Sequence, residues 1–379
     1  MDGRLAQLGE RFPVGVRRCD PRRRMTRSEA QDTDLPGVRL LRQGRYAGDL
    51  GPGRDVAGAS WTERGHRYTQ PNMRPRLLGL ALLSVVIAAC DGGAPASTAP
   101  SPSTNDSTEL DADVDVGGRT MHLVCVGPTD TGEPTILLEA GGGGDYLSWE
   151  EILPVMQSSH RLCAYDRTGL GQSEPPPEAS RTSTDQVADL RALLDAAGVR
   201  GPFVIGSHSY GATVATLFTQ AYPDDVVGLL FVDPESARVE ARWLDALPAP
   251  AADEPASITD FRDQLETFGT DPSLNPEHLH LRTSFAEAAA ALDAPGPLFG
   301  DRPVVVLSAE TTSGSQLGLP PNLAKTIDDL WAAAQQELAD ESTAGSLETV
   351  SGAGHGIQFD QPPAVIDALE RILDDLATF

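Results

Sequence analysis

The sequence has little of several features that would point to other classes of protein. Lysine is almost absent, with Lys325 standing alone beside 28 arginines. The glycine run 141–144 lacks the lysine of a phosphate-binding loop. No cluster of histidine, cysteine and carboxylate residues has the spacing of a metal site. We therefore expect neither a metal nor another cofactor.

The sequence also lacks an apolar run of the roughly 20 residues that a membrane-spanning helix needs. The longest uncharged, largely apolar run, Leu77–Ala89, has thirteen residues. It follows the basic segment Met73-Arg74-Pro75-Arg76 and precedes Cys90. This layout predicts an export signal at residues 73–89 and makes Met73 a candidate start of translation beside Met1.

Ile87-Ala88-Ala89-Cys90 resembles the lipobox of bacterial lipoproteins, here of an actinobacterial type. We expect Cys90 to be lipidated, and residues 90–109, rich in Gly, Ala, Pro, Ser and Thr, to form a flexible tether. The protein would then be exported and anchored to the outer face of the cell membrane, with that membrane surface as a partner.

Charge divides the chain into two parts. The net charge is −26, but residues 1–76 carry 16 arginines against 9 acidic residues, a balance of +7 that leaves −33 for residues 77–379. Residues 1–72 show no apolar periodicity, so we expect a disordered or untranslated extension. The acidic remainder repels phosphates, so nucleic acid is not an expected partner, and we expect a monomer.

Residues 110–379 alternate strand-like and helix-like segments, which predicts an α/β domain. Helical spacing of apolar residues marks Thr184–Ala197, and Ala212–Tyr222 follows a strand directly. The predicted strands are Thr120–Val126, Thr135–Glu139, Arg161–Tyr165, Phe203–Gly206, Val227–Val232, Val304–Leu307 and Leu347–Val350.

Ser209 is the candidate nucleophile. It lies in Ser207-His208-Ser209-Tyr210-Gly211, between an apolar strand and a helix. A sharp turn at this point exposes a serine hydroxyl and needs small flanking residues. Gly211 meets that need, and Ser207 stands where the motif has glycine.

His355 is the candidate base. It lies in Gly352-Ala353-Gly354-His355-Gly356, after the last predicted strand and before a closing helix at Pro363–Leu376. The flanking glycines leave the histidine free to reach a nucleophile. His208 is the rival base because it adjoins Ser209, but a neighbour at a tight turn projects elsewhere.

Four ordered motifs resemble the α/β-hydrolase family. They are the run Glu139–Gly144 with Trp149, the run Tyr165–Ser173, Ser209 and His355. The likeness spans roughly residues 115–379 and implies an eight-stranded, mostly parallel sheet flanked by helices. It also implies a helical cap inserted after strand six, at residues 234–302.

The resemblance assigns further roles. The backbone N–H groups of Gly142 and Tyr210 would form the oxyanion hole, although any of Gly141 to Gly143 could donate. Asp166 and Arg167 are interpreted as turn scaffolding. For the triad acid two candidates remain open: Asp233, directly after the sixth predicted strand, and Glu310, after the seventh.

The resemblance also bears on the cysteines. Strands two and four are neighbours in this fold, and an exported protein can keep a disulfide. We therefore expect Cys125 and Cys163 to form a bridge.

The favoured hypothesis is a serine hydrolase that cleaves a carboxylic ester, with a small acyl compound as substrate. Because the nucleophile is serine, the resemblance argues against epoxide hydrolases and haloalkane dehalogenases, which use aspartate. The alternatives are an aminopeptidase-like enzyme, which needs cap carboxylates facing the substrate amine, and a binding lipoprotein without catalysis.

Overall fold

The computed structural model describes residues 109–129, 131–310 and 317–378. Its centre is a single eight-stranded sheet in the order β1-β2-β4-β3-β5-β6-β7-β8. Only β2 runs opposite to its neighbours, because it pairs antiparallel with both β1 and β4 while the remaining pairs are parallel. The strands are β1 Leu110–Asp115, β2 Thr120–Val126, β3 Thr135–Glu139, β4 Leu162–Tyr165, β5 Phe203–His208, β6 Val226–Val232, β7 Gly300–Ala309 and β8 Ser342–Val350. The predicted fold class is confirmed.

Helices cover both faces of this sheet. They are α1 Leu153–Met156, α2 Ser183–Ala197, α3 Gly211–Ala221, α4 Val239–Ala246, α5 Ala256–Asp263, α6 Leu281–Leu292, α7 Pro321–Ala339, α8 Ile357–Asp360 and α9 Pro362–Ala377. The predictions for residues 1–72, for the signal at 73–89, and for Cys90 with most of its tether lie outside the described residues. Among the helices that are described, none has the length and apolar character to cross a bilayer.

Alternation along the central strands divides the core between the two faces. In β5, Phe203 and Ile205 pack with α2, α3 and α6, whereas Val204 between them packs with α9 on the opposite face. Successive side chains of a strand point to opposite faces, so a central strand covered by helices on both sides is apolar throughout. This arrangement places the carboxyl ends of the parallel strands along one edge of the sheet.

The elements that the sequence analysis did not predict include the strand β1 and the helix α7. The strand β1 alternates Leu110, Ala112 and Val114 with aspartates, which is a period of two, and it pairs with β2 at the edge of the sheet. The helix α7 carries apolar residues at helical spacing, among them Ile327, Trp331 and Leu338. Both elements had a local signal, but each was obscured by acidic or small residues.

The predicted disulfide is present between Cys125 of β2 and Cys163 of β4. The two cysteines are direct partners in the antiparallel register of these strands. The bridge therefore joins two neighbouring strands near one edge of the sheet.

The segment between β6 and β7, where the helical cap was predicted, contains α4, α5 and α6. Helices α4 and α5 bury their apolar residues against α7, in a cluster that includes Trp243, Phe261 and Trp331. In contrast, α6 contributes Phe285 and Leu292 to the main core. Helices α4 and α5 are therefore attached through α7, whereas α6 is attached directly to the main core.

Candidate active site

Ser209 occupies a strained turn between β5 and α3. Its φ is 50°, in the left-handed region that non-glycine residues rarely adopt. Its N–H donates to the carbonyl of Val232 at 3.1 Å, and its own carbonyl accepts from the N–H of Glu235 at 3.1 Å. Two backbone hydrogen bonds to the end of β6 and the loop after it thus hold the turn in place.

The residues two positions before and after Ser209 are small. A Cβ on Gly211 would lie 2.7 Å from the carbonyl oxygen of Ala140 and 2.9 Å from that of Glu139, so only glycine fits. On the other side, Ser207 is fully buried and its hydroxyl lies 3.5 Å from the carbonyl oxygen of Leu230. The site thus accommodates a small hydroxyl where the motif has glycine.

A chain of hydrogen bonds joins Ser209, His355 and Asp233. The Nε2 atom of His355 is 2.9 Å from Oγ of Ser209, and its Nδ1 atom is 2.7 Å from Oδ2 of Asp233. These distances allow His355 to accept the serine proton while the carboxylate orients the ring. The three residues come from three different carboxyl-end loops of the parallel strands.

The other candidates lie elsewhere. Oε2 of Glu310 accepts a hydrogen bond from the N–H of Gly352 at 2.7 Å, which fixes the start of the loop that carries His355. The ring of His208 meets the backbone carbonyl of His355, with Nε2 at 2.9 Å. Of the two carboxylates considered for the acid, it is Asp233 that the structure places on Nδ1 of His355.

The carboxylate of Asp233 is buried and held by several donors. Its Oδ1 atom accepts hydrogen bonds from the N–H of Ala309 at 3.1 Å, Nε2 of Gln335 at 2.8 Å and Nε1 of Trp331 at 3.3 Å. Burial raises the pKa of Asp233, but hydrogen bonds from His355, Gln335 and Ala309 outweigh it, so the net pKa lies below the usual value. The carboxylate is therefore ionised at neutral pH.

Gln335 and Trp331 were missed by the sequence analysis. Both lie on α7, about 100 residues after Asp233 in the chain. The apolar spacing of α7 could have revealed the helix, but no motif marks the side chains that reach the carboxylate. Trp331 also stacks on Trp243 of the cap and meets the His355 ring edge to face.

The glycine run after β3 passes next to the nucleophile turn. A Cβ on Gly141 would lie 3.4 Å from Cβ of Ser209, and one on Gly142 would lie 3.6 Å from Cβ of Tyr210. In the described part of the chain, no protein group accepts a hydrogen bond from the N–H of Gly142 or Tyr210. These two predicted donors are therefore free to bind a substrate oxygen.

Arg167 supports this glycine loop through hydrogen bonds to its backbone carbonyls. Its guanidinium donates to the carbonyls of Ala140 and Gly141, at 2.6 and 2.7 Å, and pairs with the buried carboxylates of Glu139 and Glu277. Holding these carbonyls turns the following N–H groups the other way. Arg167 is thus scaffolding, as interpreted from the sequence, but the loop that it supports is the glycine loop, which the sequence did not reveal.

Asp166, by comparison, joins its own turn to the segment that follows the glycine run. Its carboxylate accepts from the N–H groups of Tyr146 and Gln172, at 2.8 and 2.7 Å. Neither contact reaches the loops that carry the hydrogen-bonded chain. In the ranges 109–129, 131–310 and 317–378, no group of three His, Cys, Asp or Glu side chains has a geometry that could hold a metal.

Comparison with known proteins places this geometry in a wider context. The model of the alpha/beta hydrolase family matches residues 136–368. The probable transporter efuK of Hormonema carpetanum is 24% identical over 296 residues, which cover 69% of this chain and 42% of that protein. The uncharacterized protein YqjL of Bacillus subtilis is 36% identical over 100 residues, covering 26% of this chain and 39% of that protein. The matches thus span less than half the length of these relatives.

Among solved structures, the chain resembles a loop variant of the haloalkane dehalogenase DbeA from Bradyrhizobium elkanii. The TM-score is 0.51 at 17% identity, with 72% of this chain and 98% of that chain covered. At this identity the likeness shows the fold alone.

Proposed function

Because this chain belongs to the alpha/beta hydrolase family, we propose that it is a serine hydrolase that cleaves carboxylic esters. The observation that carries the proposal is the unbroken chain of hydrogen bonds from Ser209 through His355 to Asp233. A serine that holds a strained φ of 50° beside a histidine has the arrangement of an activated nucleophile.

The proposed reaction has two stages. Oγ of Ser209 attacks the ester carbonyl while Nε2 of His355 takes its proton, and the carbonyl oxygen becomes negatively charged next to the N–H groups of Gly142 and Tyr210. The C–O bond to the alcohol then breaks, and His355 returns its proton to that alcohol. Water, deprotonated by His355, attacks the acyl-enzyme. The bond between the acyl carbon and Oγ of Ser209 breaks, His355 returns the proton to Oγ, and the acid is released.

The residue type at the nucleophile turn supports ester cleavage over the other reactions of the family. Dehalogenases and epoxide hydrolases of this fold use aspartate there, whereas this chain has Ser209. Serine forms an acyl-enzyme with an ester. The likeness to a haloalkane dehalogenase therefore concerns the fold and not the proposed chemistry.

One observation keeps a peptidase as the second candidate. The N–H of Glu235 bonds to the carbonyl of Ser209, so this residue lies next to the nucleophile turn. Burial and the neighbouring Glu240 raise the pKa of Glu235 to about 7. This candidate needs cap carboxylates that face the substrate amine, and Glu235 and Glu240 lie at the start of the cap. An aminoacyl amide is the substrate that distinguishes it.

The proposal includes a cellular location. The export signal at 73–89 and the lipobox cysteine Cys90 support a protein anchored to the outer face of the cell membrane. Mass spectrometry of the mature N-terminus tests this: a diacylglyceryl-modified Cys90 is expected. An unmodified N-terminus at another residue would contradict it.

A fluorophosphonate probe tests the chemistry. We expect one adduct on Ser209 at neutral pH and none on a Ser209→Ala variant. A panel of esters and aminoacyl amides then separates the two candidate activities. If the folded wild-type domain is not labelled, both enzymatic proposals are wrong and the non-catalytic alternative stands.

A further inference from the structure

His208 is a buried histidine that the proposed reaction leaves without a role. It is the last residue of β5, directly before Ser209, and only 2% of its surface is exposed. Its Nε2 atom lies 2.9 Å from the backbone carbonyl oxygen of His355. Because a carbonyl oxygen only accepts hydrogen bonds, Nε2 of His208 carries the proton and donates it.

The surroundings keep this ring neutral. Burial and the neighbouring His355 lower the pKa of His208 to about 3, although the His355 carbonyl and the Asp233 carboxylate act in the opposite direction. The neutral ring with its proton on Nε2 has no proton on Nδ1. One tautomer is therefore selected across the physiological pH range.

The opposite side of the ring meets the glycine loop. A Cβ on Gly141 would lie 2.7 Å from Nδ1 of His208, closer than real side chains approach. The rings of His208 and His355 are also neighbours, with centroids 4.8 Å apart. One side chain thus contacts the nucleophile turn, the loop of the base and the loop of the predicted oxyanion donors.

We infer that His208 is a positioning residue. This inference rests on the proposed function of Ser209 and His355. By donating to the backbone of His355, it holds the imidazole at hydrogen-bonding distance from Oγ of Ser209. By packing on Gly141, it sets the distance between the glycine loop and the nucleophile. It takes no proton in the reaction and does not touch the substrate.

Two substitutions separate the hydrogen bond from the volume of the ring. His208→Leu removes the hydrogen-bond donor but still fills the space with a bulky side chain. The amide of His208→Gln can donate from a position close to that of Nε2. For His208→Leu we expect kcat to fall by about 10- to 100-fold, because small displacements of catalytic groups have effects of that order, while KM changes little. His208→Gln is expected to recover most of this loss.

The matched control is His160→Gln. His160 lies just before the amino end of β4, whereas the candidate site lies at the carboxyl ends of the parallel strands. Its ring pairs with Glu133 and Glu370. Its replacement is expected to leave kcat and KM unchanged. The rate of fluorophosphonate labelling should follow kcat in all variants, because it depends on the same activated serine.

The outcomes are distinguishable. No labelling of Ser209 in the wild type overturns the proposed function and the positioning role together. A labelled wild type with His208→Leu equally active, or with His208→Gln as impaired as His208→Leu, overturns the positioning role alone.

A measurement on the unaltered protein does not depend on the folding of variants. Long-range ¹H–¹⁵N NMR should show His208 protonated on Nε2 only, without titration between pH 8 and 5. A proton on Nδ1 at any pH in that range contradicts the inference.

Discussion

Ser209 and Asp233, at the two ends of the hydrogen-bonded series through His355, are held in different ways. Ser209 is held by its own backbone, through a left-handed turn and hydrogen bonds to residues at the end of β6. Asp233 is also strained, with φ of 40°, but its carboxylate is held by side chains from the distant helix α7. A local turn positions the nucleophile, whereas tertiary packing positions the acid.

The difference shows how much each end tolerates. The nucleophile turn depends on the absence of a side chain at Gly211, where a Cβ would meet backbone carbonyl oxygens. The acid depends on the presence of particular donors, which burial makes important because an unsatisfied buried charge destabilises the protein. At the nucleophile turn an added side chain should therefore lower activity, whereas at the acid the loss of a hydrogen-bond donor should lower it.

The largest effect is expected at the acid itself. Asp233→Asn leaves the side-chain shape but lets the amide favour the wrong tautomer of His355, so kcat should fall by about 10⁴-fold. Steady-state kinetics on an ester measure this. Glu310→Gln is the matched control, because Glu310 bonds to Gly352, and it should retain most of the activity. The reverse result would transfer the role of acid to Glu310.

The second effect tests the turn. Gly211→Ala places a methyl group against the carbonyls of Ala140 and Glu139, so the turn must shift. We expect a loss of about 1–3 kcal/mol in the free energy of unfolding, and kcat lower by about 100-fold because the nucleophile moves. Urea denaturation and kinetics measure the two. Ser207→Gly at the other flank should change little; a comparable loss there would show that the flanks are not different.

The third effect tests the support of the acid. Gln335→Leu removes the 2.8 Å donor to Oδ1 of Asp233, so the pKa of that carboxyl should rise toward its usual value. We expect kcat to fall by about tenfold, from the loss of one hydrogen bond to a charged group. The acid limb of the pH–rate profile reports the change. Gln336→Leu is the neighbouring control on α7, since Gln336 bonds to the exposed Asp340. Equal effects of both would mean that α7 supports the acid only by packing.

The last comparison concerns stability as a function of pH and not the catalytic rate. The pKa of His208 is about 3 in the folded protein, below the usual unfolded value of about 6.5. As pH falls from 6.5 toward 3, the unfolded chain binds a proton that the folded protein does not, so stability is lost by at most about 1.4 kcal/mol per pH unit. The denaturation midpoint of His208→Gln should therefore fall less on acidification than that of the wild type.

Glu235 acts with the opposite sign. Its folded pKa is raised to about 7 by burial and by Glu240, so between about pH 4.5 and 7 the folded protein holds a proton that the unfolded chain lacks. That contribution to stability is lost as pH rises through 7. Glu235→Gln has no carboxyl to titrate, so its stability should not fall with rising pH in this way. The variant should exceed the wild type in stability most at alkaline pH. A parallel pH dependence in the wild type and both variants would show that neither group is perturbed.

Much of the site was predictable because it depends on local conformation. A short apolar strand, a small-residue turn and a helix mark Ser209, and flanking glycines mark the loop of His355. The resemblance to the α/β-hydrolase family added the pairing of Cys125 with Cys163, which the register of β2 and β4 confirms. In contrast, α7 and the edge strand β1 were missed, since acidic and small residues dilute their apolar patterns.

The sequence by itself determined seven of the eight strands in the described sheet, the nucleophile turn and the loop of the histidine, because alternation, helical spacing and glycine act over a few residues. Only the tertiary structure decided which carboxylate meets His355, and that Gln335, Trp331, Arg167 and His208 support the three loops. These contacts join residues far apart in the chain, and their geometry depends on how α7 and the glycine loop pack against the sheet. No local preference encodes such distances.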